Sequence, residues 1–560
     1  MFDLGVCMST SSIAPRIPGA EPDTGRLEGA SRLRVYTVLA VIVLYTEMAP
    51  LQYIMIAPAL QKISASFPGV GANLSWVIIV LGLIGAAATP LLGKMSDIWG
   101  KKRLFVISGL FFVAGCLIDA VTDNWTWFLI GRGLQAFAIS TQIISYGLIR
   151  DLLPRKYVPI GLGLTGAGLG FSGILGPVIG GLLVDHYDWR AMFWFLALFV
   201  IVLTPIVMLV VPESKLRVKD RFDPIGALLL AAGVLFTLLY LDKGQDWGWG
   251  RPSAWAWLVA GLVLLAGFFI IEQRVRRPIM DMKLLLHPRV SMVLLIALFG
   301  VFILAVQSYA LGYMTQTPSA DQLKDVVAQG VVEQAHQVAG VNIPTSIVHV
   351  VLDPGYSYGS GFTLLQYALH LGIWSGAVSL IFGPLGGYLA RRVGPRTPTL
   401  IALAVMAAVG VGYAVAIPSY SWPLFLILSV GFGIGFGFFY AALPNLIVEA
   451  VPDEQQGISV GMLGVTLNIG TAIGLAVVTA LLNNAPLTAR IDVMGHTTVQ
   501  TIPQVFTDRG YILGFWFVTA TTLIALVLAV FMRHGRTPAT GGADSSQDSH
   551  CAAPADNPAQ

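Results

Sequence analysis

The sequence predicts an all-α integral membrane protein. It reads as two six-helix bundles plus two extra linker helices, fourteen spans in all, with both termini cytoplasmic. Three observations predict this. Hydrophobic residues make up 56% of the 560-residue chain and charged residues only 11%, against about 25% charged in ordinary soluble domains. Apolar runs long enough to cross a hydrocarbon core of roughly 30 Å recur along the chain. The second half also repeats the polar punctuation of the first.

The runs fall at about 35–58, 73–93, 104–121, 126–149, 158–184, 190–211, 224–241, 254–272, 289–314, 362–389, 398–417, 423–447, 458–482 and 511–532. They are continuous rather than alternating, which argues against an outer-membrane barrel. In lipid each segment must satisfy its own backbone hydrogen bonds, so the runs should be helices. Residues 35–211 form a first bundle, 224–272 a two-helix insert, and 289–532 a second bundle with a long outer loop at 315–361. Segment 1–34 lacks the apolar core of a signal peptide and reads as a flexible cytoplasmic start. The small, polar tail 533–560 reads as disordered.

An even number of spans puts both ends on one side. Of the 33 Lys and Arg, the large majority fall in segments on that side, including Arg32, Arg34, Lys101, Lys102, Arg103, Arg155, Arg391, Arg392 and Arg396. Basic residues mark the cytoplasmic face, so the termini should be inside. The three cysteines, Cys7, Cys116 and Cys551, offer neither a disulfide framework nor metal-ligand spacing. "GLGLTG" (161–166) and "GLGFSG" (168–173) fit a dinucleotide pattern but lie inside an apolar run and follow no strand. No metal, cofactor or nucleic-acid partner is expected, and the chain should be a monomer in the bilayer.

One interruption asks for explanation. "GKMSDIWGKKR" runs from Gly93 to Arg103 between two apolar runs. Its glycines suit a tight turn, and its basic residues keep that turn inside. The pattern returns at "GYLARRVGPR": Gly93 answers to Gly387, Gly100 to Gly394 and Lys102 to Arg396. A second match sets Asp151 against Glu449, Pro154 against Pro452 and Gly163 against Gly461. Internal repeats of this kind mark secondary transporters, whose substrate sites lie between the halves near mid-membrane.

"GKMSDIWGKKR" resembles the loop 2–3 signature of the major facilitator superfamily. "RGLQ" at 132–135 resembles its fourth-span arginine motif. "GILGPVIGG" (173–181) resembles its fifth-span antiporter motif, with Ser172 where a first glycine is usual, and "DWR" (188–190) is similar to drug-exporter branches. With fourteen spans, the chain looks like a member of the fourteen-span drug:proton antiporter branch. The resemblance implies a conformational latch of Gly93, Asp97, Gly100, Lys101, Lys102, Arg103 and Asp151. In it Asp97 would meet a helix N-terminus of the other half, where the dipole favours an anion, and Arg103 and its neighbours would meet acids such as Asp151. It also implies a seal built on Gly173, Gly176, Pro177, Gly180 and Gly181, in which proline kinks the helix and glycines admit a close neighbour.

Ionisable residues deep in a span are costly and usually functional. Glu47, near the middle of the first run, is the candidate proton carrier, and Arg132 its expected cationic partner. The alternatives are a packing or substrate-charge role for Glu47 and a structural brace for Arg132. Asp119 reads as interfacial. His370 reads as a mid-membrane titratable group or a hydrogen-bonded lining residue. Gln52, Tyr53, Gln142, Tyr146, Gln366, His370, Trp374, Phe439 and Asn445 are candidates for an amphipathic cavity. In the outer loop, Leu323, Val326, Val327, Val331 and Val338 share a helical face, which suggests a short helix on the membrane surface or over an exit. The expected function is proton-coupled export of amphipathic drugs or other hydrophobic or cationic small molecules across the plasma membrane. Export of a lipid or self-made metabolite is the alternative, and a non-transporting sensor a third.

Overall fold

The computed structural model describes residues 26–56, 59–67, 76–217, 224–248, 250–275, 282–339, 344–451 and 455–539. Segment 1–25 of the expected flexible start and 540–560 of the expected disordered tail lie outside the described residues.

The first half runs α1 (Arg32–Thr46), α2 (Met48–Ile56), α3 (Leu60–Ala65), α4 (Trp76–Trp99), α5 (Lys101–Val121), α6 (Trp125–Gln135), α7 (Ser140–Leu152), α8 (Val158–His186) and α9 (Arg190–Val210). The insert is α10 (Pro224–Trp247) and α11 (Pro252–Arg274), followed by a short α12 (Met282–Leu285). The second half runs α13 (Pro288–Gln316), α14 (Ala320–Ala339), β1 (Val348–Leu352), α15 (Leu364–Tyr367), α16 (Ile373–Val393), α17 (Arg396–Ala416), α18 (Trp422–Val448), α19 (Gln456–Asn483), β2 (Pro486–Val493), β3 (His496–Phe506) and α20 (Asp508–Phe531). Helices stand at the place of every expected run. Among the described residues, ten are long and apolar enough to cross a membrane by length and composition.

Three runs are interrupted among the described residues, the tenth by a π-helical stretch, Ala368–Gly372, between α15 and α16. The first breaks at Glu47, between α1 and α2, where the backbone N–H of Glu47 donates to Leu44. The fourth tightens into a 3₁₀ stretch, Ala136–Ile139, between α6 and α7. The breaks in the first and fourth runs lie beside buried ionisable side chains.

Within the first half α5 packs on α6 and α9, and α2 packs on α8. Within the second, α17 packs on α18 and α20, and α13 on α19 and α20. The halves meet where α4 lies on α19 and α8 on α16, and α10 of the insert reaches both α4 and α19.

The α8–α16 seam explains the fifth-run glycines. A Cβ on Gly173 would stand 2.8 Å from the Gly376 Cα, and one on Gly181 2.6 Å from the Leu365 Cα. A Cβ on Gly372 would lie 3.1 Å from Pro177. Gly176 and Gly180 face α2 instead, against Ile54 and Met55. One helix thus uses two stripes of small residues, one for its own half and one for the other.

The first and last described residues lie at one end of the bundle. Leu27 bonds Leu152 there, and Ala539 bonds Ala390. The stretch 533–539, expected to be disordered, is instead folded back: the Gly535 carbonyl accepts from Arg396 N–H and the Leu446 carbonyl bonds His534. The repeat is visible in backbone geometry as well. Gly100 and Gly394, matched in sequence, both take positive φ, at 123° and 92°.

The opposite end carries a feature the sequence reading missed. β1, β2 and β3 form an antiparallel sheet in that order, and α14 lies against it. α14 matches the expected outer helix, but its apolar side is covered by the sheet rather than by a membrane surface: Leu323 packs with Leu487 and Val505. Val326, expected on that side, is exposed, and the Val338 side chain lies outside what is described.

The seam leaves no room for a branched side chain. Gly173→Val should lower stability by about 1–3 kcal/mol, the usual cost of overpacking. Thermal unfolding of the purified protein, followed by size exclusion, should show this as a lower midpoint.

Candidate functional site

Glu47 is buried at the break between α1 and α2, 1% exposed. Its carboxylate accepts a short hydrogen bond from the hydroxyl of Ser172 on α8. Ser172 is the residue that replaces the first glycine of the antiporter motif. Its neighbour Gly173 touches Gly376 of the other half. The carboxyl is therefore one side chain removed from the seam between the halves.

Tyr146 of α7 lies within electrostatic reach of Glu47 and accepts a hydrogen bond from Gln142 at 2.9 Å. Tyr440 of α18, from the second half, lies within electrostatic reach of Tyr146 and of Tyr53 on α2. Tyr53, Gln142 and Tyr146 thus line the first half's side of a region that Tyr440 faces from the second. Gln52 is turned away from this group: it is fully buried and donates to the Gln135 carbonyl at 3.4 Å.

Arg132 does not pair with Glu47. Its Nη1 donates to the side-chain oxygen of Gln135 at 2.5 Å and its Nε to the carbonyl of Val77 at 3.1 Å. Gln135 in turn donates to Asp119 Oδ2 at 2.7 Å. Asp119, expected at the interface, is fully buried. The reason is a close approach of α5 and α6 at Gly115 and Gly131. A Cβ on Gly131 would stand 1.9 Å from Asp119 Oδ1, so only a glycine there lets the carboxylate tuck between the helices.

Several cavity candidates lie elsewhere. α15 starts at Leu364, so Gln366 and His370 sit in the first turns at the sheet end rather than at mid-bundle. Gln366 is exposed and closes a capping box with Thr363. His370 is sandwiched between the rings of Phe362 and Trp422, each 4.9 Å away. Trp374 is exposed and donates to the Leu369 carbonyl. Phe439 is buried against Gly300 and Leu403 within the second bundle. Asn445 is buried and bonds Ala441 of its own helix at 2.7 Å.

The latch residues gather at the end that holds the first and last described residues. Lys101 bridges Asp97 at 2.7 Å and Asp151 at 2.9 Å. Arg150 and Ser214 also bond Asp151. The backbone N–H groups of Lys102 and Arg103 donate to the carboxylate of Glu213, which with the Arg217 guanidinium fills the space beside Gly100 where a side chain would stand. Gly93 contacts Ile143. The acid at the start of α5 is thus Glu213, from the end of the sixth run, an anion at a helix N-terminus within one half. Asp97 pairs with Lys101 of its own half, and Lys101, a neighbour of Arg103, meets Asp151. The α4–α19 packing, Gly82 on Ala472 and Thr89 on Gly464, is antiparallel and carries Asp97 to the level of Gln456, the first residue of α19.

The Major Facilitator Superfamily model matches residues 42–323 and 338–555. The chain belongs to the Major Facilitator Superfamily. An uncharacterized MFS-type transporter, YvkA of Bacillus subtilis, is 30% identical over 45% of this chain and 56% of its own length. A probable actinorhodin transporter of Streptomyces coelicolor is 30% identical over 43% of each chain. The chain thus spans about half the length of these curated relatives. Among solved structures, the human organic anion transporter MFSD10 aligns with a TM-score of 0.54 at 13% identity, covering 88% of this chain and 99% of that one. The Escherichia coli xylose transporter XylE aligns with a TM-score of 0.54 at 12% identity, covering 90% and 100%. At these identities the structural likeness speaks for fold alone.

Asp151 lies beyond the apolar part of its helix. Burial alone would raise its carboxyl. Lys101, then Arg150, and hydrogen bonds from Lys101 and Ser214 outweigh burial and hold it below the usual carboxylate range. A lowered folded-state value means the cluster's stabilisation is complete above the ordinary aspartate value of about 4 and is lost as pH falls through the lower folded value. Asp151→Asn should cost about 3 kcal/mol at neutral pH, the low end for breaking a buried pair because Asp97 still holds Lys101. Thermal unfolding midpoints measured from pH 7 down to pH 3 should fall more steeply in the parent than in the variant.

Proposed function

We propose that this chain is a proton-coupled exporter of amphipathic or cationic small molecules, working by alternating access between its two six-helix halves in a plasma membrane. The reading takes the chain to cross the bilayer fourteen times with both termini in the cytoplasm, and to need no cofactor beyond the proton gradient. The observation that carries it is the buried Glu47 carboxyl at a helix break, bonded to Ser172 on the helix whose glycines meet the other half.

In this cycle Glu47 takes a proton from the outer side and gives it up inside. Loss or gain of the proton changes what Ser172 can donate to. The change is passed to Gly173 and hence to the contact with Gly376. Tyr53, Tyr146 and Tyr440 offer aromatic faces and hydroxyls to an amphipathic substrate, and such apolar walls with few polar groups suit small-molecule binding. The latch around Lys101, Asp151 and Glu213 ties the ends of the second, third, fourth and sixth runs, so that the first half moves as a body. A second reading, export of one defined compound rather than many, draws on the relative named a probable actinorhodin transporter.

The test is energised uptake of ethidium into everted membrane vesicles. Parent uptake should collapse with a protonophore. Glu47→Gln should lose at least tenfold in rate, while Ser172→Ala should keep transport but move its pH optimum. Glu47→Gln with unaltered uptake would contradict the assignment of the proton to this carboxyl.

A further inference from the structure

A second carboxylate sits apart from Glu47, and the exchange described above leaves it without a role. Asp119, Arg132, Gln135 and Gln52 are all fully buried. Gln135 is their hub. Its side-chain oxygen accepts from Arg132, its amide donates to Asp119, and its backbone carbonyl accepts from Gln52 at 3.4 Å. No direct ion pair joins Asp119 to Arg132 among the described residues. Three buried polar atoms of this cluster have no hydrogen-bond partner among the described residues: Asp119 Oδ1, Arg132 Nη2 and Gln52 Oε1.

That pattern is unusual for a structural brace, which would turn the arginine fork directly onto the carboxylate with two parallel bonds. Here an amide stands between the charges. One oxygen of the carboxylate is satisfied and the other is bare. An unpaired polar atom in a buried site is costly. A proton on Oδ1 removes the charge from a carboxylate that a single hydrogen bond, from Gln135, supports. The cluster also stands at the second helix break, since the 3₁₀ stretch 136–139 begins at the residue after Gln135. Glu47 stands at the first.

We infer that Asp119 is a second proton-binding site of this carrier, with Arg132 as its fixed counter-charge and Gln135 as the link between them. The inference rests on the antiport reading for its use in transport, not for its chemistry. The step is a simple protonation: the proton joins Asp119 Oδ1, Oδ2 keeps its bond from Gln135, and Arg132 stays charged. With the proton off, carboxylate and guanidinium cancel. With the proton on, Arg132 is the uncompensated charge of the cluster and disfavours a cationic substrate nearby. Besides Arg132 on α6, the titratable group near Asp119 is Cys116, one turn back on α5, and Tyr53 on α2 lies near Arg132. The Asp123–Arg190 pair lies beyond the end of α5, with Asp123 exposed.

The experiment reads the carboxyl itself and needs no substrate. Infrared difference spectra of the purified full chain in lipid, titrated from pH 4 to pH 10, should show two buried protonated-carboxyl bands. Asp119→Asn should remove one and Glu47→Gln the other. The double variant Asp119→Asn/Arg132→Gln removes both charges together and guards against misfolding of the single variant; it too should lack the first band. Loss of no band in either Asp119 variant would mean a permanently charged carboxylate and would overturn the inference. The dye-uptake measurement fails or succeeds independently of these spectra. A missing Asp119 band with proton-dependent uptake intact therefore sinks this inference and not the antiport reading, and the reverse result does the opposite.

Discussion

The bond from Ser172 to Glu47 is the contact on which the proposed mechanism depends. A carboxyl buried in a helical bundle is tolerated only with a partner, and the partner here is a hydroxyl rather than a cation. A hydroxyl can donate to a charged carboxylate or accept from a protonated carboxyl, so it supports both states. The break in the first run at Glu47 gives the side chain its room. The next residue of α8, Gly173, has no side chain and presses its backbone on Gly376 of the other half. A local change in charge is thereby placed one residue from the surface along which the halves must slide. Close-packed interfaces switch between discrete arrangements rather than deform smoothly, which suits such a device.

The glycine stripes and the polar clusters work together. Gly176 and Gly180 hold α8 on α2, the helix just after Glu47, while Gly173 and Gly181 hold it on the second half. Movement of α8 relative to either neighbour alters the Ser172 contact. At the end that holds the first and last described residues, Glu213 caps α5 through the N–H groups of Lys102 and Arg103, and Lys101 joins Asp97 and Asp151. These bonds stitch one half into a rigid unit. In the second half, Gly394 meets the folded-back Gly535 carbonyl, so the repeated turn is supported there by backbone rather than by an acid.

Much of this was legible in the sequence because lipid imposes a simple rule. Each run had to be a helix, and helices stand where the runs were read. The repeated turn was legible because only glycine takes the positive φ found at Gly100 and Gly394. What escaped was whatever depends on which neighbour a side chain meets. Asp119 looked interfacial because its place in the run says nothing of Gly131, whose missing side chain lets the carboxylate in. Arg132 stands by Asp119 through Gln135 rather than by Glu47 for the same reason. Ser172 was seen as a departure from a motif but not as a partner. Gln366 and His370 seemed central, yet α15 begins late enough to leave them at the sheet end. The sheet is written in the alternation of "LTARIDV" and "HTTVQTI" around Met494 and Gly495, a weaker pattern than the long apolar runs on either side.

The most direct test is a pair of spin labels spanning the halves. Cysteines would be placed at the exposed positions Tyr187, at the end of α8, and Val351, on β1, with Cys7, Cys116 and Cys551 replaced. Interlabel distances would then be measured by electron–electron resonance in lipid between pH 5 and pH 8. The account predicts two distance populations whose ratio shifts with pH in the parent and stays fixed in Glu47→Gln. A ratio indifferent to pH, or one that shifts equally in Glu47→Gln, would contradict it.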